Sequence, residues 1–136
     1  MGSATHHSTS FIITFSTVTP PSSILTNGTP YIGLADAINA AFRPPAVYAY
    51  RLGAYVTACD AVAPQLAVRV GGASMPINPR DLVFRDFVDP ISGMCMTGVA
   101  SGGIGPFILG SVFLQNVLTV FDVGNAEMRF LSRPYY

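Results

Sequence analysis

Short apolar runs, each about five residues long, are separated by Gly- and Pro-bearing breaks roughly every ten residues. That spacing predicts an all-β domain. Residues 10–18 (SFIITFSTV) read as a strand that Pro20-Pro21 ends, because proline supplies no donor to a ladder. Residues 22–26 (SSILT) read as a second strand, closed by a turn at Asn27-Gly28. The pattern then changes period. Leu34, Ala37, Ile38, Ala41 and Phe42 recur at helical spacing, and Pro44-Pro45 stops the helix.

Beyond this helix the short apolar runs return. Residues 54–58 (AYVTA) form a short strand running into Cys59, and residues 65–77 place two strands either side of Gly71-Gly72, a hairpin signal. Residues 78–84 (NPRDLVF) fit a helical turn or an edge strand. Further strands are expected over 94–100, 106–110, 117–122 and 126–131, with a short helix at 111–116 and a turn at Asp122–Asn125. Gly98–Gly105 is Gly-rich but reads as a loop between strands. The predicted fold is mostly β with one or two short helices, in a single domain over residues 11–136 behind a flexible polar tail over residues 1–10.

Composition sharpens the picture in one respect. Half of the 136 residues are apolar and only 10% are charged, against about 25% charged in an ordinary soluble domain. A chain so poor in charge buries much of its surface or hides a face against a partner. Formal net charge is zero, so nothing points to nucleic acid or to an anionic membrane surface. No run approaches the roughly 18 unbroken apolar residues of a membrane span. The N-terminus has neither the basic nor the apolar region of a signal peptide, and reads as a cloning remnant or the trimmed end of a longer precursor.

Candidate chemistry is sparse. His6 and His7 lie together in the tail, and no further histidine exists to complete a metal site or a nucleophile–base dyad. No cofactor motif is present. Asp36, Asp60, Asp81, Asp86, Asp89, Asp122 and Glu127 are the carboxylates; none falls in an apolar strand-turn context, so each is expected to be solvated or capping, Asp36 in the first turn of its helix. Cys59 and Cys95 are the two cysteines. Their number permits a disulfide or two buried thiols; a bond would close a loop of about 36 residues, for about 4 kcal/mol in the chain-entropy model.

Residues 107–130 (FILGSVFLQNVLTVFDVGNAEMRF) resemble a segment of the C-terminal lobe of pepsin-like aspartic peptidases: two apolar residues and Gly, a helix opening on Val-Phe, the run Thr-Val-Phe-Asp, an Asn-bearing turn and a closing strand. Residues 59–84 followed by Cys95 are similar to that family's span between its C-lobe cysteines. The resemblance covers roughly residues 22–131. It implies a single pepsin-like lobe, a Cys59–Cys95 disulfide and a secreted or secretory-pathway protein.

The family's C-lobe supplies one of two catalytic aspartates from an Asp-Thr/Ser-Gly-Thr loop between an apolar strand and a helix. Here that loop reads Thr26-Asn27-Gly28-Thr29. Gly28 and Thr29 match, Asn27 stands for Thr or Ser, and Thr26 stands where the aspartate should be. The family's chemistry needs two close carboxylates sharing a proton, and a threonine hydroxyl titrates far outside the range in which it could act as acid or base. Pro30-Tyr31 also resembles the loop of plant pepsin-like pseudo-peptidases, although those proteins are richer in cysteine. Asn27-Gly28-Thr29 is in addition an N-glycosylation sequon.

The resemblance implies a binding protein that carries a vestigial loop (Thr26, Asn27, Gly28, Thr29, Tyr31) and presents an apolar face to a second lobe or a second copy, with a peptide or small ligand in the old groove. Two alternatives stand beside it: the C-terminal chain of a processed two-chain homologue whose N-terminal lobe lies elsewhere, and a small-molecule enzyme that reuses the fold.

Overall fold

The computed structural model of the chain describes residues 3–7, 13–17, 33–70, 72–101 and 108–134. In chain order the elements are β1 (Ser3–His7), β2 (Ile13–Thr17), α1 (Leu34–Ala40), β3 (Val47–Ala49), β4 (Ala54–Thr57), β5 (Leu66–Val70), β6 (Ala73–Ile77), a 3-10 turn (Pro79–Leu82), β7 (Val83–Val88), β8 (Cys95–Thr97), α2 (Ser111–Leu114), β9 (Val117–Asp122) and β10 (Glu127–Ser132). The fold is mostly β, as expected for a single pepsin-like lobe. The described residues gather into two compact units.

The first unit holds two three-stranded antiparallel sheets, ordered β1-β10-β9 and β2-β5-β6. The β5–β6 hairpin follows directly from its sequence. Leu66, Val68 and Val70 on β5 face Ile77, Met75 and Ala73 on β6, and Leu66, Val68, Val70, Met75 and Ile77 are all buried. Gly72 turns the chain at φ 82°, a conformation that a residue with a Cβ rarely adopts. Arg69 and Ser74 alternate outward between the buried positions, the period of a strand with one covered face.

α2 is joined to this unit by apolar contact and by an amide. The rings of Phe113 and Phe130 lie 5.7 Å apart. Asn116, which is buried, accepts from the backbone N–H of Asn78 at 2.9 Å and donates from Nδ2 to the carbonyl of Val112 at 2.8 Å.

The second unit holds the four-stranded sheet β3-β4-β8-β7 with α1. All four residues of β4 are buried. Gly33, at φ 91°, begins α1, and its carbonyl accepts the first helical bond from Ala37. Ile38 and Phe42 are buried, as the helical spacing requires; Leu34 and Ala41 are half-buried, and Ala37 faces solvent. β7 pairs with β8 at Val83, Phe84 and Val88, with a bulge between the last two.

Three expectations are corrected. Residues 3–7, read as part of a flexible tail, form β1 and pair with β10 from Ser3↔Leu131 to His7↔Glu127. The cause is that a strand held by backbone bonds to a neighbour needs no apolar alternation of its own, so periodicity does not reveal it. Residues 108–110, read as the end of a strand, are irregular; the Gly110 carbonyl is taken up by Phe113 and Leu114 as the start of α2. Residues 47–49 were given no strand and form β3, whose Tyr48 pairs with Tyr55 of β4.

Candidate functional site

The loop residues Thr26, Asn27, Gly28, Thr29 and Tyr31, with the strand expected just before them, lie outside the described residues, as does part of the Gly98–Gly105 loop. What the structure shows is the frame that follows the loop. α1 starts three residues beyond Tyr31, and Asp36 stands exposed in its first turn.

The anchor of that helix is Asn39, which is fully buried. Its Nδ2 donates to the carbonyl of Ala35 at 2.8 Å and to the carbonyl of Val99 at 3.1 Å. Its Oδ1 accepts from the hydroxyl of Thr97 at 2.7 Å. α1 is thereby tied to the end of β8 and to the first residues of the Gly-rich segment. The network is neutral throughout, so it fixes position and offers no proton chemistry. Sequence reasoning missed Asn39; the available signal was a polar residue beside Ile38 on the covered face of a helix only seven residues long.

The carboxylates do not converge. Among the described residues no three His, Cys, Asp or Glu side chains gather as a metal-binding set. Asp122 closes the β9–β10 turn by accepting from the backbone N–H and from Nδ2 of Asn125, which holds its pKa below the usual value. Asp89 departs from the expectation of a solvated group, since its residue is only 2% exposed. Its Oδ2 accepts from the Ser92 hydroxyl at 2.6 Å and from the Ser92 N–H at 3.1 Å. Its Oδ1 accepts from Arg51 Nη2 at 2.6 Å and from the Ile91 N–H at 3.4 Å. The Ser92 hydroxyl first, and then Arg51, hold the carboxyl far below the ordinary carboxylate range, against the opposing effect of burial. Near neutral pH it is an anion with its lone pairs occupied, suited to closing the 89–94 loop.

A pH dependence follows. A carboxyl whose folded pKa lies below its unfolded value of about 4 contributes stability above that value and loses it as pH falls toward the folded pKa. Asp89→Asn is therefore expected to melt at a lower temperature than the parent near neutrality. The gap should close progressively below about pH 4. Thermal melts of both proteins from neutral to strongly acid pH measure it, and a gap independent of pH would contradict the assignment.

Cys59 and Cys95 form a disulfide with their Cα atoms 4.9 Å apart. It joins the turn after β4 to the first residue of β8, in the same unit as Asn39 and Asp89. Apolar side chains are exposed in both units, Tyr48 and Tyr50 among them, whereas Tyr55 is buried. In the second unit Tyr48 packs edge-on against both Tyr50 and Tyr55, each with ring centroids 5.1 Å apart. In the first unit Leu118, Val120, Phe121 and Leu131 are exposed on β9 and β10.

Comparison with known proteins gives a consistent result. A profile of the family described as eukaryotic aspartyl protease matches residues 3–132. The chain is 48% identical to a probable aspartic-type endopeptidase of Aspergillus fumigatus over 103 residues, which are 73% of this chain and 24% of that protein. It is 28% identical to an acid protease of Saccharomycopsis fibuligera over 113 residues, covering 82% of this chain and 28% of that protein. With gastricsin of Mus musculus the identity is 33% over 81 residues, 54% of this chain and 19% of that protein. The chain thus spans about a quarter of the length of the curated relatives it matches.

Proposed function

Because the chain belongs to the eukaryotic aspartyl protease family, we propose that it is a lobe of this kind that has lost peptide chemistry and works by binding. The observation that carries the reading is residue 26. The family profile spans residues 3–132, α1 and the closing β9–β10 hairpin are in place, and on our reading of the sequence Thr26 stands where the aspartate should be. A second lobe with its own aspartate, or a second copy of this chain, leaves the pair of carboxylates incomplete, and one carboxylate cannot supply both the acid and the base.

The binding role is supported by the low charge and by the apolar side chains on the β9–β10 pair. Leu118 is 58% exposed and Phe121 65% exposed, a grouping of the sort that marks interaction surfaces. Thr26, Asn27, Thr29 and Tyr31 would offer hydrogen bonds to a peptide or small ligand in the vestigial groove. We further place the protein in the secretory pathway: a disulfide between Cys59 and Cys95 suits an oxidising compartment, where the sequon at Asn27 could carry a glycan.

The purified chain is expected to show no pepstatin-sensitive cleavage of a denatured protein substrate between about pH 3 and 6, the range in which a carboxylate pair can share a proton. Such cleavage, at a rate above that of a buffer control and abolished by pepstatin, would overturn the reading.

A further inference from the structure

Lysine and arginine together number seven in this chain, and all seven are arginines. Every one of them lies among the described residues. A peptidase whose primary pocket takes a cationic side chain therefore has seven bonds to choose from, and the structure closes six. Arg43 and Arg133 each precede a proline, whose ring crowds the bond to be cut and whose nitrogen carries no hydrogen. Arg69 and Arg129 lie in middle strands and are paired on both sides, Arg69 with Thr14 and Ser74, Arg129 with Thr5 and Val120. Arg51 stands in the tight turn between β3 and β4, where the N–H groups of Leu52 and Gly53 both donate to the Ala49 carbonyl. Its guanidinium is held by Asp89 at 2.6 Å. Arg80 sits in the 3-10 turn, and extending the chain there pulls Leu82 and Val83 from their buried places.

Arg85 is the seventh, and it differs on each count. β7 ends the sheet order β3-β4-β8-β7, so among the described residues no strand covers its outer side. On its inner side Phe84 pairs with Met96 and Val88 with Cys95, which are adjacent on β8. Arg85, Asp86 and Phe87 therefore bulge away from β8 without ladder partners. Residues 84–88 are all exposed. Their backbone is already strand-like, the form in which a substrate segment adds to the edge of another protein's sheet. Arg85 Nη1 donates to the Arg80 carbonyl at 3.2 Å, an exposed neutral-acceptor contact that water readily replaces.

We propose that the Arg85–Asp86 bond is a processing site for an arginine-specific serine peptidase, which converts the chain into a two-chain protein. Water adds across the amide: the Arg85 carbonyl carbon gains the oxygen and becomes a carboxylate, and the Asp86 nitrogen leaves as an amine. The products, residues 1–85 and 86–136, stay together, because Cys59 lies on the first and Cys95 on the second and their disulfide spans the cut. Both new ends are anchored close by. Leu82 and Val83 remain buried before the cut, and after it Asp89 remains bound to Arg51 and Ser92. The break falls inside the bulge, so the pairs that flank it keep their bonds.

This proposal does not rest on the binding reading above, since the peptidase acts on the chain from outside. Trypsin added sparingly to the oxidised full chain at neutral pH should cut it once. The product should run at full size without reductant and as two pieces with it, and mass spectrometry should find the new ends at Arg85 and Asp86. Arg85→Gln, at an exposed position, should melt with the parent and be cut roughly tenfold more slowly or less, since the remaining sites open only as the fold does. A first cut at any other arginine, several cuts at once, equal rates for Arg85→Gln and the parent, or pieces that separate without reductant overturns the proposal.

Discussion

Replacement of both Cys59 and Cys95 by alanine is expected to lower the stability of the fold by about 4 kcal/mol, the chain-entropy value for a loop of this length. The bond closes a loop of 36 residues that contains β5, β6, the 3-10 turn and β7. Cutting it frees that loop in the unfolded chain. For a domain of this size the loss corresponds to a melting temperature lower by roughly 10 to 20 °C. Cys95 is fully buried, so an alanine there also removes packing. The single variant Cys59→Ala, at a half-buried position, isolates the loop effect. Urea unfolding of parent, single variant and double variant measures both contributions. A double variant within about 1 kcal/mol of the parent would show that the unfolded chain is already restrained across this loop.

Asn39→Leu is expected to cost about 3 kcal/mol, the sum of lost bonds and stranded partners. The substitution keeps the branched shape and the number of side-chain heavy atoms but removes all three hydrogen bonds of the amide. The carbonyls of Ala35 and Val99 each lose a donor, and the Thr97 hydroxyl loses its 2.7 Å acceptor in a buried setting. Thr97 retains one further bond, to the Val99 carbonyl at 3.3 Å, which limits the damage. Thr97→Val alone should therefore cost less, about 1 kcal/mol. The double variant should be less destabilised than the two single changes added together, because the hydroxyl stranded by Asn39→Leu is then absent. Strict additivity in a double-mutant cycle would mean that Asn39 and Thr97 act separately, and that α1 is held to β8 by apolar packing alone.

The sequence was most informative where a single local rule decides the structure. The β5–β6 hairpin was legible because Gly71-Gly72 divides two apolar runs, and α1 because five apolar residues share a helical period between Gly33 and Pro44. The disulfide was legible only through resemblance, since two cysteines alone do not fix their pairing. Elements that depend on a distant neighbour were not legible. β1 is polar and short, and it is a strand because β10 lies beside it. β3 is three residues long, and Val47 and Tyr48 on it remain exposed, so no burial pattern marks it.

The same limit applied to polar residues. Asn39 and Asn116 are buried because other segments bring carbonyls and N–H groups to meet them, and the burial of Asp89 depends on Arg51, distant in sequence, as well as on Ser92 nearby. Composition could count these groups but could not say which would be enclosed. Residues 26–29 were read the other way round, from the order of the motifs around them, and the proposed loss of the acid rests on a single residue, Thr26.

The pairing of β1 with β10 carries a consequence for synthesis. Ser3 meets Leu131, so the β1-β10-β9 sheet joins segments from nearly opposite ends of this chain. Contacts of such long sequence separation form slowly, because a large loop must close before any bond offsets its entropy. During translation the β5–β6 hairpin can assemble as soon as it clears the ribosome, whereas β1 must wait for β10 to emerge. Until then β1 stays without its neighbour, and the unfinished sheet is open to wrong pairings.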